Sequence, residues 1–100
     1  MITRYFTSYT GVKLPLKLIG EIEETGLANR NTYILAEFDD AHKLLFLEHR
    51  VYGEPQLSHR YEYHTDGSLK CAEINNIIEE EMSTLLFDES GNATVSRGDA

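Results

Sequence analysis

One hundred residues suit a single domain, and a chain this short buries only roughly two thirds of its extended surface, so its core is thin. Acidic residues outnumber basic ones 17 to 9, for a net charge of −8. That excludes a binder of nucleic-acid backbone, which needs a basic footprint, and leaves room for a basic protein partner.

Arg4–Tyr9 is aromatic and β-branched, and Thr10-Gly11 can turn it back. Val12, Leu14, Leu16 and Leu18 then alternate with Lys13, Pro15 and Lys17, the period of a half-buried strand. Pro15 has no N–H to donate, which places this strand at a sheet edge. Gly20–Asn31 reads as a connection with room for a helical turn at Glu21–Thr25.

Two hairpins follow. Tyr33–Arg50 and His59–Ile74 each read as strand, polar turn and returning strand, with Phe38 and Leu44 recurring as Tyr63 and Leu69 at an offset of 25 residues. The first is apolar on both faces: Ile34, Ala36, Phe38, Leu44 and Phe46 on one, Tyr33, Leu35, Leu45 and Leu47 on the other. Such strands belong in the middle of a sheet covered on both sides, or else one face is a binding patch. In the second, Asp66-Gly67 suits a type I turn with a glycine bulge. That register sets Tyr63 opposite Leu69, Tyr61 opposite Cys71, and Glu62 opposite Lys70 as an opposite-charge pair. His42 stands where the second copy has Gly67, so that turn is either different or strained.

Asn76–Phe87 reads as a helix: Ile77, Ile78, Met82, Leu85 and Leu86 form a stripe at three- and four-residue spacing. Asn76 with Glu79 resembles a capping box. No Lys or Arg occurs from Ala72 to Ser96, so the outward face of this helix is expected to be strongly acidic. Residues 90–100 are expected to fray. The fold expected is thus α+β: a small antiparallel β-meander of repeated hairpins with one C-terminal amphipathic helix, residues 1–89 forming the domain and 90–100 a disordered tail.

Catalytic signals are weak. Cys71 is the only cysteine, which excludes an internal disulfide; in a strand it reads as a structural thiol. His42, His49, His59 and His64 show no metal-site spacing, although His42 and His64 both belong to hairpin turns. No phosphate loop, calcium loop or nucleophile–base pattern is present, so neither an enzyme nor a cofactor is expected. Arg97-Gly98-Asp99 and Asn92-Ala93-Thr94 read as chance matches to adhesion and glycosylation motifs. The N-terminus lacks a basic region followed by an apolar run, and nothing approaches the roughly 20 apolar residues of a membrane span. The expectation is a cytoplasmic protein with no membrane partner.

The stretches RYFTSYTGVKLPLKL, VYGEPQLSHRYEYH and TDGSLKCAEI resemble a family of small uncharacterised bacterial proteins. The resemblance spans about Arg4 to Ile74 and implies no activity or catalytic residues. Tyr61, Tyr63, Asp66, Gly67 and Leu69 are similar to hairpin repeats of the MORN and YD type, which serve as scaffolds and binding surfaces; the first copy departs in Phe38 and in the missing glycine.

The leading functional reading is an acidic interaction module that docks on a basic surface of a larger protein, with inhibitors of the immunity and anti-CRISPR kind as examples of such a build. Glu73, Glu79, Glu80 and Glu81 are the acids expected to carry it. Tyr52 is its aromatic anchor, and Glu54, held between Gly53 and Pro55, a second contact in the 51–55 loop. The alternatives are a homodimer that buries the second apolar face of 33–50, and a small-molecule binding domain or enzyme. The last requires a concave pocket with at least two convergent polar groups.

Overall fold

A computed structural model describes residues 1–11 and 14–98, the stretch 94–98 as backbone alone. Val12 and Lys13, assigned above to the alternating strand, lie outside the described residues, as do Asp99 and Ala100. The strands are β1 (Ile2–Thr10), β2 (Lys17–Ile22), β3 (Thr32–Phe38), β4 (Leu44–Val51), β5 (Glu54–Tyr63), β6 (Leu69–Asn76), β7 (Glu81–Phe87) and β8 (Ala93–Gly98). They form one eight-stranded antiparallel sheet in the order β2-β1-β3-β4-β5-β6-β7-β8. The meander of hairpins expected from the repeat is therefore present, longer than the two copies recognised. β2 is an edge strand, but it begins after Pro15, which lies in the loop before it. The one helix among the described residues is a 3-10 helix at Glu24–Asn29.

The C-terminal amphipathic helix is not formed. Residues 77–80 are a turn, and Glu81–Phe87 is a strand paired with β6 from Asn76↔Glu81 to Cys71↔Leu86. The reason is that the apolar pattern satisfies both periods. Leu85 and Phe87 pack against the core, whereas Leu86 is exposed, an alternation of period two. The free edge of β6 offers a ladder of amide partners, and a short isolated helix has no equivalent gain. Asn76 does cap, since its Oδ1 accepts the Glu79 amide at 3.3 Å, but it caps a turn. The segment expected to fray carries β8, which pairs with β7 from Phe87↔Ala93 to Met82↔Gly98.

Two bulges correct the side-chain assignments. Between Phe38↔Leu44 and Glu37↔Phe46 the register shifts, so Leu47, not Phe46, joins Ile34, Ala36 and Leu44 in the core. In the next hairpin Tyr63 does face Leu69, but the shift beyond it sets Tyr61 opposite Ala72 and Glu62 opposite Cys71. The expected Glu62–Lys70 pair is absent.

One face of the sheet is the core. Phe6, Ile34, Ala36, Leu44, Leu47, His59, Tyr61 and Ala72 are buried there. Leu14, Leu16 and Leu18, from the β1–β2 connection and the start of β2, pack onto it. The Leu16 amide donates to the Tyr61 hydroxyl at 3.3 Å, pinning that connection over the sheet. The opposite face has aromatic contacts of its own: Tyr5 meets Tyr33 edge-on at 6.0 Å, and the Arg60 guanidinium lies 5.1 Å from the Phe46 ring. The second apolar face of 33–50 is thus partly shielded by its own neighbours.

Candidate functional site

The β4–β5 and β6–β7 turns lie side by side at one end of the sheet, because β5 pairs with both β4 and β6. Tyr52 and Gly53 join β4 to β5 with φ of 52° and 78°. Two successive positive φ values are those of a type I′ turn, whose twist matches the strands it joins. The Tyr52 amide donates to Asn31 O at 2.7 Å, and the Tyr52 residue is 76% exposed. In the neighbouring turn the Ile77 amide donates to Gln56 O at 3.0 Å and the Glu80 amide to Ile77 O at 3.3 Å. Glu80 takes a φ of 55°. Ile78, assigned above to a buried stripe, is 69% exposed.

Of the residues singled out in the sequence, Tyr52, Glu54, Glu79, Glu80 and Glu81 belong to this end and are all exposed. Glu73 does not. It is half-buried in β6, opposite Arg60 and Thr84 and about 10 Å from the turn at strand spacing. The ion pairs among the described residues are Met1–Asp40, Arg4–Glu21 and Arg50–Glu48. None involves the glutamates of this end. Ile77 and Ile78 were missed because a helical reading turned them inward; two β-branched residues before three glutamates could equally have marked an exposed turn.

The other end of the sheet is built from one turn used three times. Asp39, His64 and Asp88 each donate their amide to a carbonyl four residues on, that of Lys43, Ser68 or Asn92. Each also accepts, through its own carbonyl, the amide of His42, Gly67 or Gly91. These last three residues have φ of 65°, 91° and 91°. His42 therefore adopts the same left-handed turn as the glycines and does so at a cost. The third copy, Phe87-Asp88 followed by Gly91, falls where the sequence reading sets the boundary between helix and tail.

Beneath these turns, between the sheet and the Leu14-Pro15 segment, is a cavity of about 750 Å³. Leu14, Leu44, Leu69, Leu85 and Phe87 give it apolar walls, while Lys43, Tyr63, Ser68 and His42 add polar groups. The Tyr63 hydroxyl donates to Leu44 O at 2.6 Å. Burial, with Asp39 nearby, pushes that hydroxyl up to about 12, so it stays neutral at ordinary pH.

Two further candidates, His64 and Cys71, sit in structural surroundings. His64 Nε2 lies 2.8 Å from Phe87 O, tying the second turn to β7. Cys71 is half-buried, and burial together with Glu62 and Glu73 pushes its thiol up, away from the reactive thiolate. Among the described residues no group of three or more His, Cys, Asp or Glu side chains could hold a metal ion. Nor is any helix among them long and apolar enough to cross a membrane.

No curated protein and no solved structure matches this chain. The comparisons give no support to a relation with MORN or YD repeats; the repeated hairpin is a feature of this chain's own architecture. A family model covers residues 1–96, and the chain accordingly belongs to the family of unknown function DUF6156.

Proposed function

We propose that the protein is an acidic interaction module that inserts the Tyr52–Ile78 end of its sheet into a basic, apolar-centred recess of a larger protein. The observation that carries this reading is the composition of that end: two large side chains, 76% and 69% exposed, stand on adjacent turns beside Glu54, Glu79, Glu80 and Glu81. Aromatic and aliphatic anchors supply affinity when a partner desolvates them. The like charges around them, in no ion pair among the described residues, steer encounter with a basic surface and reject acidic ones. Both turns are tied down by backbone hydrogen bonds, so little conformational freedom is lost on docking. Glu73 lies outside this surface. Docking of this kind blocks whatever the partner's basic recess normally holds, which makes inhibition the natural consequence.

The test starts with capture of partners by the tagged chain and by a triple variant, Glu79→Lys, Glu80→Lys and Glu81→Lys. It is decided by titration of the purified partner. The expected result is a basic protein whose affinity drops at least tenfold with the triple variant and again with Tyr52→Ala, the native affinity falling as salt rises. Equal affinity for native and charge-reversed chains, or an affinity insensitive to salt, overturns the assignment. Loss of the partner's activity on binding separates an inhibitor from an adaptor.

A further inference from the structure

Among the described residues the cavity under the three repeated turns is lined by one lysine, Lys43, and an apolar body, and we infer that it binds an amphipathic monocarboxylate, with the anionic head on Lys43 and the apolar tail against Leu69, Leu85 and Phe87. The cavity lies at the opposite end of the sheet from the proposed docking surface, so this inference does not depend on that reading.

The volume, about 750 Å³, falls within the usual range for small-molecule sites, which combine apolar walls with a few placed polar groups. The head-group assignment rests on where the charges are committed. Of the four aspartates in these turns, Asp40 lies 3.7 Å from the N-terminal ammonium, and the other three are each turned into their own loop. Asp39 Oδ1 accepts the amides of Ala41 and Lys43 at 2.8 and 2.9 Å. Asp66 Oδ1 accepts from the Ser68 amide and hydroxyl at 2.9 and 2.6 Å. Asp88 Oδ1 accepts the amides of Ser90 and Asn92, both at 2.9 Å. Lys43 consequently forms no ion pair among the described residues. Its ammonium donates to Gly67 O at 2.9 Å and lies 4.7 Å from the centre of the Tyr63 ring.

An ammonium has three donors. The contacts with Gly67 and Tyr63 fix its position at the cavity wall while leaving donor capacity for a ligand. A carboxylate placed there gains a charge-assisted hydrogen bond, and the tail buries apolar surface that is otherwise wetted. In a chain of net charge −8, Lys43, in no ion pair among the described residues and held against an apolar cavity, selects one anionic group and disfavours polyanions.

Decanoate and decanol, matched in tail and differing in charge, are the probes. Calorimetric titration is read together with amide chemical-shift changes on the native chain, on Lys43→Met and on Leu85→Phe. The native chain is expected to bind decanoate about tenfold more tightly than decanol, a factor in keeping with a hydrogen bond to a charged group, with shifts centred on Leu44, Leu69 and Phe87. Lys43→Met should remove the preference and leave decanol binding unchanged. Leu85→Phe, which fills the cavity, should weaken both. The Glu79/Glu80/Glu81 triple variant should bind decanoate as the native chain does. Absence of decanoate binding, equal binding of the two probes by the native chain, a preference retained by Lys43→Met, or shifts confined to the Tyr52 end overturns the inference.

Discussion

His59 Nδ1 lies 2.7 Å from the Tyr61 hydroxyl, two residues away on the same buried face of β5. The same hydroxyl accepts the Leu16 amide at 3.3 Å. One phenol therefore links the sheet core to the connection that covers it.

Burial lowers the His59 pKa to about 4 from its ordinary 6.5. The folded state resists protonation that the unfolded chain accepts, so His59 contributes stability above about pH 6.5 that is lost as the pH falls toward 4. The full difference amounts to about 3 kcal/mol. Urea unfolding followed across that window should show the loss, and the imidazole resonances of His59 should titrate near 4. A resonance that titrates near 6.5 contradicts the burial argument.

Tyr61→Phe leaves the Leu16 amide without its acceptor and His59 Nδ1 without its hydrogen-bond partner while preserving the ring. The expected destabilisation is about 1–3 kcal/mol, measured by chemical denaturation. Faster amide exchange at Leu16 should accompany it, because the pinning of the β1–β2 connection depends on the hydroxyl. Unchanged exchange at Leu16 would show that packing of Leu14 and Leu16 suffices.

His42→Gly should stabilise the protein by about 1 kcal/mol. His42 has a φ of 65° in a turn where the two sister positions are glycine, and an L side chain in that region costs roughly 1–2 kcal/mol, partly offset by the greater freedom of an unfolded glycine. Thermal melting of the two forms at equal concentration reads the sign directly. A lower melting temperature for the glycine form would mean that the His42 side chain makes compensating contacts at the cavity rim.

Gly20→Ala should destabilise strongly, by more than about 2 kcal/mol. Gly20 has a φ of 71°, and a Cβ there would collide with the Thr7 hydroxyl across the β1–β2 pair. Steric clash and left-handed backbone act together. Pairing with Thr7→Ala, which removes the colliding oxygen, should recover part of the loss and leave the backbone share.

The repeated turn was legible where its chemistry is local. Asp66-Gly67 specifies a left-handed glycine between two strands regardless of surroundings, and Tyr63 faces Leu69 as that turn requires. The docking residues were half legible: Tyr52 in its Gly-Pro-flanked loop and the glutamate run are evident as exposed groups. Their convergence is not, because it depends on β5 standing between β4 and β6.

Length, charge and turn residues were enough to specify a small acidic meander with hairpins at regular spacing. Those properties act over a few residues or over the whole chain, and both scales can be read along a line. Whether 76–87 was helix or strand depended on the open edge of β6, since Leu85 and Leu86 fit either period. Bulges at Glu37/Phe38 and Glu62/Tyr63 decided which side chains face the core, because a one-residue shift exchanges the faces of a strand. One wall of the cavity is the Leu14-Pro15 segment, and the neighbouring Leu16 is tied to Tyr61, a partner 45 residues away. Contacts of that range are settled by tertiary packing, where many weak local preferences compete for the same buried surface.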